Sequence, residues 1–243
     1  MTPLFYDLHI HSCLSPCGDD DMTPANLVGM AAVKGLDVIA LTDHNSCANC
    51  PAAMFHGEKY GVTVIPGMEL TTSEEVHVIC LFPTLGDAMD FDAFVYRMLI
   101  PFPNREEIFG RQQIMNERDE VTGTKDLLLI NAVSVSFDEV FALAAAYNGI
   151  AYPAHVDKPS TSLLSNLGFV PPDSKFTCAE FHDFNNLHRI RRSHPYFSRC
   201  NVICCSDAHY LEEIHEPEYR LFSRPRKISD ILDALTSPLP AQT

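Results

Sequence analysis

The sequence predicts a single α/β domain built on a mainly parallel sheet, and three observations predict it. Short apolar runs of strand length alternate with helical patterns, an order that requires crossover connections between parallel strands. A length of 243 residues suits one core, and α/β barrels often run this long as one domain. Apolar residues make up 46% and charged residues 20%, with no low-complexity run, internal repeat or interdomain linker.

The elements follow in order. Residues 4–10 (LFYDLHI) read as the first strand, and the loop SCLSPCGDDD follows it. Thr23-Pro24 offers an N-cap with proline in the first turn, so NLVGMAAVKG forms a helix that stops near Gly35. Next come the strand DVIALTD, a helical segment over 51–60, the strand VTVIPGMEL and the strand VHVICLF. Residues 84–130 break this rhythm with Pro101 and Pro103, then a charged stretch expected to be helical from about 104 to 118. This segment reads as an insertion or a lid. From 137 the rhythm returns, with the helix FDEVFALAAAYNG and the strands IAYPAH, CAEFHD and NVICCSDAH.

Charge and cysteine content narrow the function. A formal net charge of −15 disfavours a long nucleic acid bound through a basic surface. A small anionic substrate stays compatible, because bound cations invert the local sign. No stretch has the length of a membrane-spanning helix and no signal pattern opens the chain, so the expectation is a cytoplasmic protein without membrane contacts. No feature assigns an oligomeric state. Nine cysteines, an odd number, fit reduced thiols better than a disulfide framework. Cys13, Cys17, Cys47 and Cys50 fall in two neighbouring loops, where four thiolates form an alternative: a structural zinc site.

The chemistry is concentrated at strand ends. His9 and His11 end the first strand, Asp43 and His44 the second, and Glu69 the third. His77 starts the fourth strand, His155 ends IAYPAH, and Asp207 and His209 end the run NVICC. Strand ends of parallel α/β proteins share one face, so six of the eleven histidines point to one rim. Residues two apart on a strand face the same way, which lets His9 and His11 chelate one ion and lets Asp207 and His209 repeat the pattern opposite. Imidazole with carboxylate suits zinc, iron or manganese, and the donors exceed the needs of one four-coordinate ion. Two or three divalent cations are therefore expected, with Glu69 able to bridge a pair about 3.5–4 Å apart. Asp43 reads better as a partner of a ligand than as a ligand. His182 is a weak candidate, and His56, His188, His194 and His215 read as surface or structural.

The motifs DLHIHS (7–12), LTDHN (41–45), PGMEL (66–70), VHVICLF (76–82), YPAH (152–155) and CSDAH (205–209) resemble the PHP (polymerase and histidinol phosphatase) family over residues 5–215. The resemblance implies a distorted (β/α)7, TIM-like barrel with a trinuclear site and phosphoester hydrolysis. Its implied ligands are His9, His11, Glu69 and Asp207, then His77 and His155, then His44 and His209 with one residue of the first loop. Many members carry Ser-Asp-Gly or a nearby histidine there, whereas this chain reads Ser15-Pro16-Cys17-Gly18-Asp19. Counting from His11 favours Cys17, and counting back from Thr23-Pro24 favours Asp19, which is slightly preferred with Cys17 kept as the alternative. Glu69, Asp207 and His209 are expected to carry the catalysis, and Arg105, Arg111 or Lys158 to meet substrate phosphate. The expected substrate is a small phosphorylated metabolite, or a nucleotide or oligonucleotide end. An amidohydrolase-like enzyme and a non-catalytic metal-binding protein are the alternatives, although no motif strand carries the lysine that amidohydrolases commonly use.

Overall fold

The structure, a computed structural model, describes residues 2–224 and 227–237. The expected domain of residues 1–243 also takes in residues 1, 225–226 and 238–243, which lie outside the described ones. In chain order the elements are β1 (Thr2–Ile10), α1 (Pro24–Lys34), β2 (Val38–Leu41), α2 (Cys50–Tyr60), β3 (Thr63–Thr71), β4 (His77–Leu81), α3 (Leu85–Met98), α4 (Glu106–Phe109), β5 (Gln113–Met115) and β6 (Val121–Thr124). They continue with α5 (Phe137–Ala146), β7 (Ile150–Pro153), α6 (Leu163–Asn166), β8 (Cys178–Phe181), α7 (Leu187–Ser193), β9 (Asn201–Cys204), β10 (Arg220–Ser223) and α8 (Ile228–Thr236).

Seven strands form the distorted TIM-like barrel. A six-stranded sheet runs β10-β1-β2-β3-β4-β7, and β8 pairs with β9 in parallel. The ring closes through isolated contacts: Val156 N–H donates to Glu180 O between β7 and β8, and Ile10 bridges Ala208 between β1 and the end of β9. The expected mainly parallel order has one reversed barrel strand. β4 runs antiparallel to both β3 and β7, with Thr71 opposite His77. Glu69 near the end of β3 and His77 at the start of β4 thereby meet on one rim.

Alternation along the strands separates two apolar clusters. Leu4, Tyr6, Leu8, Val38, Ala40, Ile65, Ile79, Leu81 and Tyr152 fill the barrel, and Ile231, Leu232 and Leu235 of α8 close its far mouth. Ile39, Leu41, Met68, Val78 and Cys80 face outward, where helices cover them. In β1 the register shifts between Asp7 and Ile10, a bulge that re-aims side chains. Leu8 still points inward, yet Ile10 points outward, so His9 and His11 turn into the barrel. A uniform alternation would have sent them to the helices.

The insertion differs from its expected helix over 104–118. Only Glu106–Phe109 is helical, and β5 and β6 form a short antiparallel hairpin. The hairpin grips the first loop and α1: Gln113 Nε2 donates to Asp20 Oδ1 at 2.7 Å, and Asp119 accepts from Thr23 Oγ1 at 2.6 Å. Helix α1 starts and stops as its caps dictate, with Thr23 accepting from Asn26 N and Gly35 at φ 81°.

Candidate metal centre

The strand ends bring three groups of donor atoms together, each group with its atoms within 4.8 Å of one another. His9, His11, Glu69 and Asp207 form one, His44, Glu69 and His77 the second, and His11, His44 and His209 the third. Each pair of groups shares one residue: Glu69, His11 or His44. Asp207 and His209 do not act as a pair on one strand face. Asp207 joins the first group, whereas His209 lies in the third, stacked on His11 with ring centroids 4.2 Å apart.

Glu69 is the hub. Its carboxylate lies 3.3 Å from His9 Nε2, 3.4 Å from His11 Nε2, 3.0 Å from His44 Nδ1, 2.8 Å from His77 Nδ1 and 3.2 Å from His155 Nε2. The far sides of two rings are held from behind. His9 Nδ1 donates to Glu180, 3.0 and 3.1 Å from its oxygens, and His11 Nδ1 donates to Ser15 Oγ at 2.9 Å. Ser15 in turn donates to Asp43 Oδ1 at 2.7 Å, so Asp43 reaches His11 only through Ser15. With their Nδ1 protons so engaged, the Nε2 lone pairs of His9 and His11 face each other at 3.2 Å beside two carboxylates. This convergence of nitrogen and oxygen atoms is a donor set that can hold a metal ion, and its chemistry suits zinc, iron or manganese. The residues fit a metal cluster.

Electrostatics agree with this reading. Burial pushes the Glu69 carboxyl up, but His77, His9 and His44 outweigh it and hold it well below the usual carboxylate range. Asp207 is likewise raised by burial and held well below its usual range by His9 and His11. Burial opposes charge on His9, yet Glu180, Asp207 and Glu69 push its pKa well above that of free imidazole. His77 goes the other way, to about 4, because burial exceeds the pull of Glu69. Metal binding at such a cluster releases the protons that the imidazoles hold against the carboxylates.

The PHP domain profile matches residues 7–165. The chain belongs to the PHP domain family. Proteins of this family are metal-dependent hydrolases of the phosphoesterase and nuclease class. The chain is similar to a 5'-3' exoribonuclease of Haemophilus influenzae, 35% identical over 79 residues, which is 31% of this chain and 28% of that protein. Among solved structures, the lesion-specific endonuclease PfuEndoQ from Pyrococcus furiosus superposes with a TM-score of 0.66 at 20% identity, over 97% of this chain and 56% of that one. An endonuclease Q complex with a 27-mer duplex carrying an abasic lesion at the active site matches with a TM-score of 0.61 at 20% identity, over 96% of this chain and 56% of that one. The chain thus matches little more than a quarter of the exoribonuclease and just over half of the endonuclease chain.

These likenesses overturn the expectation that a long nucleic acid is disfavoured as a partner. Proteins built on this fold act on RNA and on duplex DNA. The physical error lay in using the whole-chain charge of −15, because a phosphate meets the local field of the cleft, where cations and nearby basic groups set the sign. No helix among the described residues is long and apolar enough to cross a membrane.

The first loop separates its two candidate donors. The Cys17 thiol faces His44 and His209; although the residue is exposed on the rim, partial desolvation of its thiol pushes the pKa up, and those histidines with His11 bring it down to about 5. Asp19 turns its Oδ1 back to the Asp21 N–H at 2.9 Å. The four-thiolate zinc alternative does not form. Cys47 and Cys50 both approach Gly67 O, at 3.1 and 3.6 Å, deep under the rim, while Cys17 is exposed on it. Among the described residues these four thiols make no metal-sized group.

Of the basic candidates, Lys158 reaches the cluster, where its Nζ contacts Asp207 Oδ2. Arg111 is exposed and paired with Asp20 at 3.0 Å, and Arg105 is exposed at the start of α4. His182 is exposed in the loop after β8, outside all three groups. His56 is buried on α2 against Tyr60, with ring centroids 6.0 Å apart. Sequence reasoning missed Glu180, fully buried behind His9. The signal was present as an acidic residue two positions after Cys178, on the barrel-facing side of an apolar strand.

Proposed function

We propose that this chain hydrolyses phosphoester bonds of nucleotides or nucleic-acid ends with two or three divalent cations held at this centre. The observation that carries the reading is Glu69, one buried carboxylate within 3.4 Å of five imidazoles. A hydrogen-bond network needs far fewer partners. In this reading His9, His11, Glu69 and Asp207 hold the first cation, Glu69, His77 and His155 the second, and His44, His209 and Cys17 the third. The orientation of the Cys17 thiol towards His44 and His209 supports it over Asp19 as the first-loop donor. Bound divalent ions supply Lewis-acid charge to the phosphate oxygens and an ionised water at neutral pH.

The chain's own residues supply position and charge. Glu180 fixes the His9 tautomer, and the Asp43–Ser15 pair fixes that of His11. Lys158, half-buried beside Asp207, is the ammonium best placed for a substrate phosphate. Arg105 and Arg111 are the weaker choice, since both are exposed and Arg111 already has an acidic partner. We read the 84–130 segment, within one domain, as a wall of the cleft, because its hairpin braces the loop that carries Cys17.

Metal analysis of the purified protein, with hydrolysis assays on mononucleotides and short oligonucleotides, tests the proposal. Two to three equivalents of metal and metal-dependent hydrolysis are expected, and the double variant H9A/H11A should lose both. A fully active H9A/H11A protein overturns the assignment.

A further inference from the structure

Two stretches depart from the chain's acidity, residues 187–199 and residues 219–229. Residues 187–199 read LHRIRRSHPYFSR, which holds four of the 17 lysines and arginines and no acidic residue. Arg189, Arg192 and Arg199 are exposed, and Arg191 is half-buried with its Nε donating to Phe197 O at 3.2 Å. A run of surface arginines is ordinarily solvated and balanced by neighbouring carboxylates. Among the described residues, the lysine and arginine ion pairs use Lys34, Arg111, Lys125, Lys158, Arg224 and Lys227, and none of these four arginines. The other acid-free basic run differs, because its Arg224 and Lys227 both pair with Asp230.

Its position ties it to the metal centre. The loop after β8 is tethered to the loop after β7 by Asp157, whose Oδ1 accepts from His182 N at 2.6 Å and whose Oδ2 accepts from Asp183 N at 3.0 Å and Asn186 Nδ2 at 2.9 Å. Asn186 Oδ1 then accepts from the Arg189 guanidinium at 3.1 Å. Asp157 immediately precedes Lys158, whose ammonium sits on Asp207 of the centre. Arg192 lies one turn beyond Arg189 on the same face of α7. The two acids of this tether are occupied: Asp157 by the three donors above, and Asp183 by the Asn185 N–H at 2.8 Å.

We propose that the arginine face of α7, with Lys158 at its inner end, is a track that leads the phosphate backbone of a nucleic-acid strand to the metal centre. Guanidinium groups suit this role because they stay charged and present paired donors to phosphate oxygens. The proposal rests on the phosphoesterase reading above and adds the substrate class and the path it takes.

Fluorescence anisotropy of the metal-loaded protein tests it, with a labelled single-stranded oligonucleotide of roughly 20 nucleotides whose phosphorothioate linkages resist hydrolysis. The variant R189A/R192A should weaken binding about ten-fold at low salt and flatten the dependence of log affinity on log salt by roughly 1–2. The variant R97A/R118A, which removes two exposed arginines of the insertion and the same net charge, should bind as the wild type does. Mononucleotide hydrolysis should be unchanged in both. Equal losses in the two variants, or unchanged binding by R189A/R192A, overturn the track. A wild-type protein that hydrolyses mononucleotides yet does not bind the oligonucleotide also overturns it, and leaves the phosphoesterase reading standing.

Discussion

Glu180 offers the sharpest test of how the centre is built. Its oxygens accept from His9 Nδ1 at 3.0 and 3.1 Å and from His155 N at 3.2 Å, and both side chains of the Glu180–His9 pair are shut off from solvent. The carboxylate therefore fixes which His9 nitrogen carries a proton, leaves Nε2 free for a metal, and makes that nitrogen more basic. Removing an outer partner of this kind costs about 10- to 100-fold in metal affinity, equal to about 1.4–2.7 kcal/mol. The independent range for a hydrogen bond to a charged group, about 1.5–3 kcal/mol, overlaps it. Glu180→Gln keeps an acceptor for Nδ1–H and loses the charge, so it belongs near the ten-fold end. Glu180→Ala removes both and leaves His9 Nδ1 and His155 N without a partner, so it belongs near the hundred-fold end. Competition against a chromophoric chelator measures the affinity, and thermal unfolding in excess chelator separates metal loss from instability. A folded Glu180→Ala protein with wild-type zinc affinity would refute the tautomer argument.

Three other predictions concern the first loop. Cobalt-substituted protein should show a thiolate-to-metal charge-transfer band that disappears in Cys17→Ser and persists in Asp19→Asn; a band of equal intensity in Cys17→Ser would remove Cys17 from the centre. In the metal-free protein the Cys17 thiol, with its pKa lowered to about 5, is a thiolate at all higher pH. Its alkylation, followed by mass spectrometry, should rise near pH 5 and be level by neutrality, whereas a rise near pH 9 would contradict the histidine contacts. At Gly18 a Cβ would lie 2.2 Å from Ser12 O, so Gly18→Ala must displace the loop and should lose metal from the third group, while Gly29→Ala, with nothing closer than 3.9 Å, should retain full loading.

The sequence exposed the features that depend on one strand at a time. Six rim histidines, Glu69 and Asp207 were legible because strand ends and two-residue spacing are local properties; five of those histidines surround Glu69, Asp207 lies beside His9 and His11, and His209 stacks on His11. What escaped was set by pairing between distant segments. The bulge in β1 that aims His9 and His11, and the reversed direction of β4, exist only through their neighbours. The β5–β6 hairpin escaped for the same reason, as its strands of three and four residues are fixed by docking on the first loop. Glu180 was readable in principle. Reading CAEFHD for its polar end drew attention to His182 and Asp183, past the buried acid two residues inside the strand.

Three residues at the centre adopt left-handed backbone: Asn45 at φ 46°, His155 at 26° and Asp207 at 55°. Asparagine, aspartate and histidine visit this region more readily than other residues, but His155 at 26° lies outside its usual φ range, a strain of about 1–3 kcal/mol. Such strain persists only where surrounding contacts over-determine the chain. They do here: Asn45 Nδ2 donates to Leu129 O and Asn131 O at 2.7 and 2.8 Å, and its Oδ1 accepts from Thr71 N. His155 N is held by Glu180, and Ser206, just before Asp207, donates its backbone N–H to Asp7 at 3.0 Å. The donor atoms are thus aimed by the fold, through contacts that no cation makes. Metal affinity is therefore expected to respond to Glu180, Asn45 and Asp7 as well as to the ligands themselves.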